Sequence, residues 1–297
     1  MQQITWPAGI MTISMPEYLA LDALSSSACH TLLSRSPAHA CYDREHPHTS
    51  TMMDVGTVAH QVLLEGSEVN ISVVEANDWR TKAAREAREI ARLEHKTPIL
   101  TSMMDEVRCM VEAAWHYIRR SDIAEVMKHG APERTLIWQE DDLWCKARPD
   151  WLTHDWRTII HYKTTGRSAN PEAFASHMVD MGYDLAAAFY AQGLAAVSTV
   201  HAFDVKSVFL LQETEPPYAC SLVGLSPGLM ELGMLKAERA IKVWRQCLLS
   251  GDWPAYPTEV CYAEPKPWHM NQMADNALAW HDTELYERVI EIRGGLT

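Results

Sequence analysis

The apolar residues of this chain change period at Gly130, and that change limits the fold more than any other feature. Ahead of it they recur at helical spacing; beyond it, residues 133–139, 143–150 and 157–163 are short runs rich in β-branched and aromatic side chains. The turn-forming Glu140-Asp141-Asp142 and Thr153-His154-Asp155 separate these runs, which therefore read as three consecutive antiparallel strands. Residues 171–181 and 183–197 are helical, 205–212 is a further strand, and 218–225 is its edge partner. Ser226-Pro227, a serine cap before a proline at the first helical position, opens a long helix to about Leu249. The pattern predicts an α/β (α+β) fold, a mixed sheet flanked by helices, behind an N-terminal helical portion.

In that portion Ala28, Leu32 and Leu33 form a short helical stripe, which Ser36-Pro37 is expected to end, and the polar 43–48 stretch reads as a loop holding His46 and His48. Val55, Ala59, Val62 and Leu63 fall on one helical face, and Gly56 lets another backbone approach closely. His60 lies beside that face. On this segment alone a core histidine satisfied by a carbonyl is the simpler reading. From Asp78 to Lys96 the chain is charged; Arg80, Lys82 and Arg85 are candidates for a phosphate-facing surface, against the alternative of a solvated helix balanced by its own glutamates. Residues 103–118 form an amphipathic core helix.

The division expected is one domain over 1–268, mainly helical over 1–130 and sheet-containing over 131–268, with a C-terminal tail over 269–297. A formal charge of −13 argues against a surface coated in positive charge for nucleic acid, but permits basic groups in one groove. Seven cysteines without a Cys-x-x-Cys pair fit reduced thiols and give no zinc or iron–sulfur framework. No signal peptide and no membrane span of roughly 18 apolar residues is expected, which predicts a cytoplasmic protein. A Gly-x-Ser-x-Gly elbow and a nucleotide-binding P-loop are both absent.

Chemistry concentrates in 147–165. Hydrolysis of a phosphodiester calls for a metal on the phosphoryl oxygens and a cation near the nucleophile. In a strand, residues 161 and 163 share a face, and Asp150 joins them from the neighbouring run, where Pro149 limits pairing. His161 stands where a second carboxylate is normally found.

Arg148-Pro149-Asp150, the 159–165 run Ile-Ile-His-Tyr-Lys-Thr-Thr, Gly56-Thr-Val-Ala-His60 with Leu64-Glu65, the helix carrying Tyr183 and Tyr190, and Asp252-Trp-Pro254 together resemble the exonuclease VIII group of phage and prophage nucleases. These belong to the restriction-endonuclease-like, or PD-(D/E)xK, superfamily, and the resemblance runs from about Ile13 to Trp268. It implies a Mg²⁺-dependent exonuclease digesting double-stranded DNA from the 5′ end in recombination, as a ring-shaped homo-oligomer working with a single-strand annealing protein. By the same resemblance His60 and Asp150 are metal ligands and Lys163 is the catalytic lysine. His161 occupies the third ligand position, and Arg148, Tyr183 and Tyr190 join the DNA-contact candidates. Two positions depart from the family: His161 replaces an aspartate and Ala186 a glutamine. Imidazole suits Mn²⁺ better than Mg²⁺ and brings no charge. The competing readings are an end-binding or assembly module that has lost its chemistry, and a metal-dependent hydrolase with another substrate.

Overall fold

The computed structural model describes residues 7–46 and 54–294. The first unit, Met1–Ala255, begins with β1 (Gly9–Met11), α1 (Met15–Ala20), α2 (Ser26–Ser34), α3 (Pro37–Glu45) and α4 (Asp54–His60). A π-helical turn, Gln61–Glu65, continues α4. Next come β2 (Ile71–Val74), α5 (Lys82–Leu93), β3 (Thr97–Leu100), α6 (Thr101–Ile118), β4 (Gly130–Pro132), β5 (Thr135–Glu140), β6 (Leu143–Ala147), β7 (Trp151–Thr153) and β8 (Thr158–Thr165). The chain then runs through α7 (Pro171–Asp180), α8 (Tyr183–Val197), β9 (Lys206–Glu213), β10 (Cys220–Gly224) and α9 (Pro227–Ser250).

The main sheet has the order β10-β9-β8-β7-β4, with β8 and β9 parallel and the other neighbours antiparallel. Its central strands are covered on both faces. Ile159, Phe209 and Leu211 belong to a core with Leu24 and Cys29 and with residues of α8 and α9, whereas Ile160, Tyr162 and Leu210 belong to a second core with Val58, Ala59 and the apolar stripe of α6. Burial on both faces explains why these strands read as continuous apolar runs. The restriction-endonuclease-like reading, a mixed sheet flanked by helices, describes this architecture.

The middle one of the three expected strands divides. β6 pairs with β5, in a second sheet with β1, and after Arg148-Pro149-Asp150 the chain resumes as β7 against β8. Proline has no N–H for the ladder, so the crossing between sheets falls there. The helical half also holds a parallel β2–β3 pair, which no alternating pattern announces because each strand has four residues. Ser36-Pro37 opens α3 rather than closing α2: the Ser36 side chain accepts from the His39 N–H, and proline suits the first helical turn. Asp43 and Glu45 accordingly lie in α3, His46 caps it, and His48 falls outside the described residues.

Gly56 sets the seat of α4. A Cβ there would stand 2.9 Å from Thr164 Oγ1, so the missing side chain lets α4 rest on β8, and His60, one turn on, comes down beside Asp150.

The second unit, Tyr256–Thr297, contains α10 (Pro267–Ala279) and α11 (Thr283–Gly294), which close around Met270, Ala274 and Val289. The units thus divide ahead of the expected boundary at 268, and the tail forms two full helices. Among the described residues no helix is long and apolar enough to cross a membrane.

Helices α8 and α9 meet where Gly233 has no side chain; a Cβ there would lie 2.3 Å from the Asp184 carbonyl oxygen. Gly233→Ala is expected to lower unfolding stability by about 1–3 kcal/mol, read by urea titration. An unchanged midpoint would contradict this close packing.

Candidate metal centre and active site

The break at Pro149 determines what Asp150 can do. The first β7–β8 pair is Trp151 with Ile160, so the Tyr162 N–H finds no strand partner and donates to Asp150 Oδ2 at 2.9 Å. The same oxygen accepts from Lys163 Nζ at 3.1 Å. The other oxygen, Oδ1, lies 3.6 Å from His60 Nε2.

A third group completes the cluster. Glu133 Oε1 is 3.5 Å from His60 Nε2, and one ligand atom from each of His60, Glu133 and Asp150 lies within 4.8 Å of the other two. No motif marks Glu133 in the sequence, where it reads as the first residue of a strand. Its signal was the hairpin register: the tight turn at Asp141-Asp142 pairs Glu140 with Leu143, and counting outward brings Glu133 opposite Asp150. The Glu133 N–H indeed donates to the Asp150 carbonyl at 3.2 Å. Glu133 sits at φ 56°, a left-handed conformation costly for a side chain with a Cβ, which its neighbours must hold in place. Arg148 is one of them; its Nε donates to Glu133 Oε2, and its Nη1 donates to the Ile13 carbonyl at 2.8 Å and to Thr135 Oγ1 at 3.3 Å.

Burial disfavours charge on Asp150, His60 and Lys163, and mutual attraction overrides it. For Asp150 desolvation acts upward, yet Lys163, His60 and His161 hold its carboxyl far below the usual range. His60 is pushed downward by burial and raised on balance by Asp150 and Glu133. Lys163 likewise ends raised, against its burial, through Asp150. Glu65, at the end of the π-helical turn, is raised by burial and then by the charge of Glu133. Two carboxylates and an imidazole converging within reach of one point are a hard-oxygen-plus-nitrogen donor set that fits a divalent cation.

His161 is placed differently from the expected ligand. Its ring stacks on Phe209 at 4.4 Å and 15°, it is only 3% exposed, and it is not a member of the three-residue group. Desolvation holds its pKa down to about 4, so the ring is neutral at pH 7, and its Nε2 is buried without a hydrogen-bond partner. Tyr190 lies 5.6 Å from that ring, and Tyr183 stacks on Phe209 at 5.2 Å. Both tyrosines are within electrostatic reach of Lys163 and Asp150. Arg148 is turned inward onto Glu133, with 11% of its side chain exposed. Arg80 and Lys82 pair with Asp78 and Glu86, and Arg85 is exposed on α5, so the structure does not bring these three into the cluster.

The profile of the PDDEXK-like domain of unknown function (DUF3799) matches residues 25–265. The chain belongs to that family. The matched range takes in Pro149-Asp150, His161 and Lys163. Among solved structures, a provisionally named exonuclease from Eubacterium rectale superposes with a TM-score of 0.55 at 10% identity, covering 86% of this chain and 96% of its own. That likeness shows the fold. The structure of SSO0001 covers 71% of this chain and 99% of its own at 14% identity, with a TM-score of 0.27 that carries no argument. No curated protein matches the sequence. The PDDEXK-like chain is therefore a nuclease-fold protein, and members of this superfamily generally use divalent metals.

In the unfolded chain His161 titrates near 6.5, whereas in the fold it resists protonation until about 4. The unfolded state thus binds more protons in that window, and stability must fall as pH drops from about 6.5 to about 4. His161→Phe is expected to flatten this limb relative to the parent by on the order of 1–3 kcal/mol in urea melts. Parallel limbs for both proteins would contradict a neutral, buried imidazole.

Proposed function

We propose that the chain is a metal-dependent exodeoxyribonuclease that degrades linear double-stranded DNA, 5′ to 3′, in the manner of the exonuclease VIII group. The observation that carries this reading is the convergence of His60, Glu133 and Asp150 with Lys163 bonded to Asp150. His60 Nε2, Glu133 Oε1 and Asp150 Oδ1 would hold the cation. Mg²⁺, or Mn²⁺ as the imidazole favours, would supply Lewis-acid polarisation of the phosphoryl oxygens and a more acidic bound water.

The chain's own groups then divide the remaining work. Asp150 Oδ2, held by the Tyr162 N–H and Lys163, keeps its carboxylate in one orientation. Lys163 stays protonated and presents its ammonium where negative charge develops on the phosphate. Tyr183 and Tyr190, seven residues apart on α8, stand within electrostatic reach of Lys163 and Asp150 as candidates to contact the DNA. Arg148 holds Glu133 in place rather than touching DNA. His161 supplies no charge, so the centre has Glu133 in place of the missing acid. A ring-shaped homo-oligomer, a single-strand annealing partner, a role in phage or prophage recombination and a cytoplasmic location complete the reading.

One observation favours a second reading: with Glu133 engaged by Arg148 and His161 neutral, the chain could bind DNA ends without cutting them. The test is digestion of linear and closed circular duplex in Mg²⁺ and in Mn²⁺. The expected result is loss of linear DNA only, faster in Mn²⁺. Glu133→Gln, Asp150→Asn and Lys163→Ala should each slow it by about 10²-fold or more, and His161→Asp should raise the Mg²⁺ rate. Intact linear DNA with either metal, in the parent and in His161→Asp alike, would leave the end-binding reading standing in place of this one.

A further inference from the structure

Strand β10 is the outer strand of the main sheet, and its free edge opens into a cavity of about 880 Å³ walled on the other side by α6. The Glu213 N–H donates to the Ala219 carbonyl, so alternation turns the main-chain groups of Ala219, Ser221 and Val223 toward β9 and those of Cys220, Leu222 and Gly224 outward. None of the outward groups has a main-chain partner among the described residues. Cys220 and Leu222 line the cavity themselves.

The volume of this groove is that of a missing strand. With about 3.4 Å per residue, strands about 4.8 Å apart and layers about 10 Å apart, one strand residue takes up about 160 Å³. The cavity therefore has room for about five residues, the length of β10. The helix wall runs alongside the edge: Gln212, paired with Cys220, donates to the Met110 carbonyl, and further along the helix Tyr117 lines the cavity together with Leu222. Further along the same wall Arg120 bonds His116 Nε2 at 3.0 Å and has no carboxylate partner among the described residues. Glu112 lies two turns earlier on the same rim, so the wall carries opposite charges at its two ends, with Asp122 beyond the helix.

We infer that this groove binds an extended peptide segment of a partner protein, which adds a sixth strand to the main sheet and sets a carboxylate against Arg120. Main-chain bonds to an exposed edge supply affinity in such docking, and flanking side chains supply selectivity. A second copy of this chain fits less well. Pairing two β10 edges about a twofold axis brings both α6 helices to one face, where each already walls its own groove. An open edge without lysine or proline within the strand is also a surface that proteins otherwise cover.

The test is selection of a phage-displayed library of random peptides on the full chain and on Arg120→Glu, an exposed substitution. Peptides enriched on the parent are expected to carry Asp or Glu in a β-branched run, and to bind about tenfold more weakly both to Arg120→Glu and when that acid is made an amide. They should slow amide exchange at Cys220, Leu222 and Gly224. No enrichment, or protection falling outside residues 217–224, overturns the inference. So does self-association of the parent, in sedimentation, that Arg120→Glu abolishes, since that assigns the edge to a second copy.

Discussion

The site depends on one interrupted hydrogen bond. Pro149 cannot donate to a ladder, so β6 ends with Ala147 and β7 begins at Trp151 on another sheet. The gap leaves the Tyr162 amide of β8 without a strand partner, and the Asp150 carboxylate takes its place at 2.9 Å. A carboxylate fixed this way has one oxygen committed to the scaffold and to Lys163 and the other free to face His60. The two-sided burial of β8 keeps the arrangement from relaxing, because shifting the strand by one residue would exchange its two apolar faces.

Electrostatics within the cluster follow from that placement. Asp150, His60 and Lys163 share a poorly solvated corner, where burial opposes the charge of each and their mutual attraction favours it. Arg148 extends the balance outward by engaging the far oxygen of Glu133 while anchored on the Ile13 carbonyl, so a segment near the N-terminus takes part in holding a residue of the site. Lys146, one strand position before Ala147, does the same for α1: its ammonium donates to the Tyr18 and Leu21 carbonyls at 3.0 and 2.7 Å. In sequence Lys146 reads as an ordinary strand residue and Arg148 as a DNA-contact candidate; here each side chain is turned inward onto backbone carbonyls.

Much of the fold was legible because its signals are local. The Ser226-Pro227 cap, the helices over 171–197, the amphipathic α6 and the shift to short β-rich runs after Gly130 all correspond to observed elements. The misses come from longer-range effects. Ser36-Pro37 is both a stop and a start signal, and only the packing of α3 decides between them. The parallel β2–β3 pair is too short for its period to show. His60, Asp150 and Lys163 stood out by motif, and the structure brings them together. Glu133 was hidden in a strand-like run and emerges only when the β5–β6 register is counted out. His161 shares a strand face with Lys163, as alternation requires, but Phe209 on the adjacent strand captures its ring, which no spacing rule reveals.

The central claim is that Glu133, rather than His161, is the third arm of the cation site. Anomalous diffraction from crystals soaked in Mn²⁺ tests it most directly. The account predicts one peak bounded by His60 Nε2, Glu133 Oε1 and Asp150 Oδ1, with His161 still stacked on Phe209. A peak ligated by His161 with Glu133 left on Arg148, or no peak beside Asp150, would contradict it.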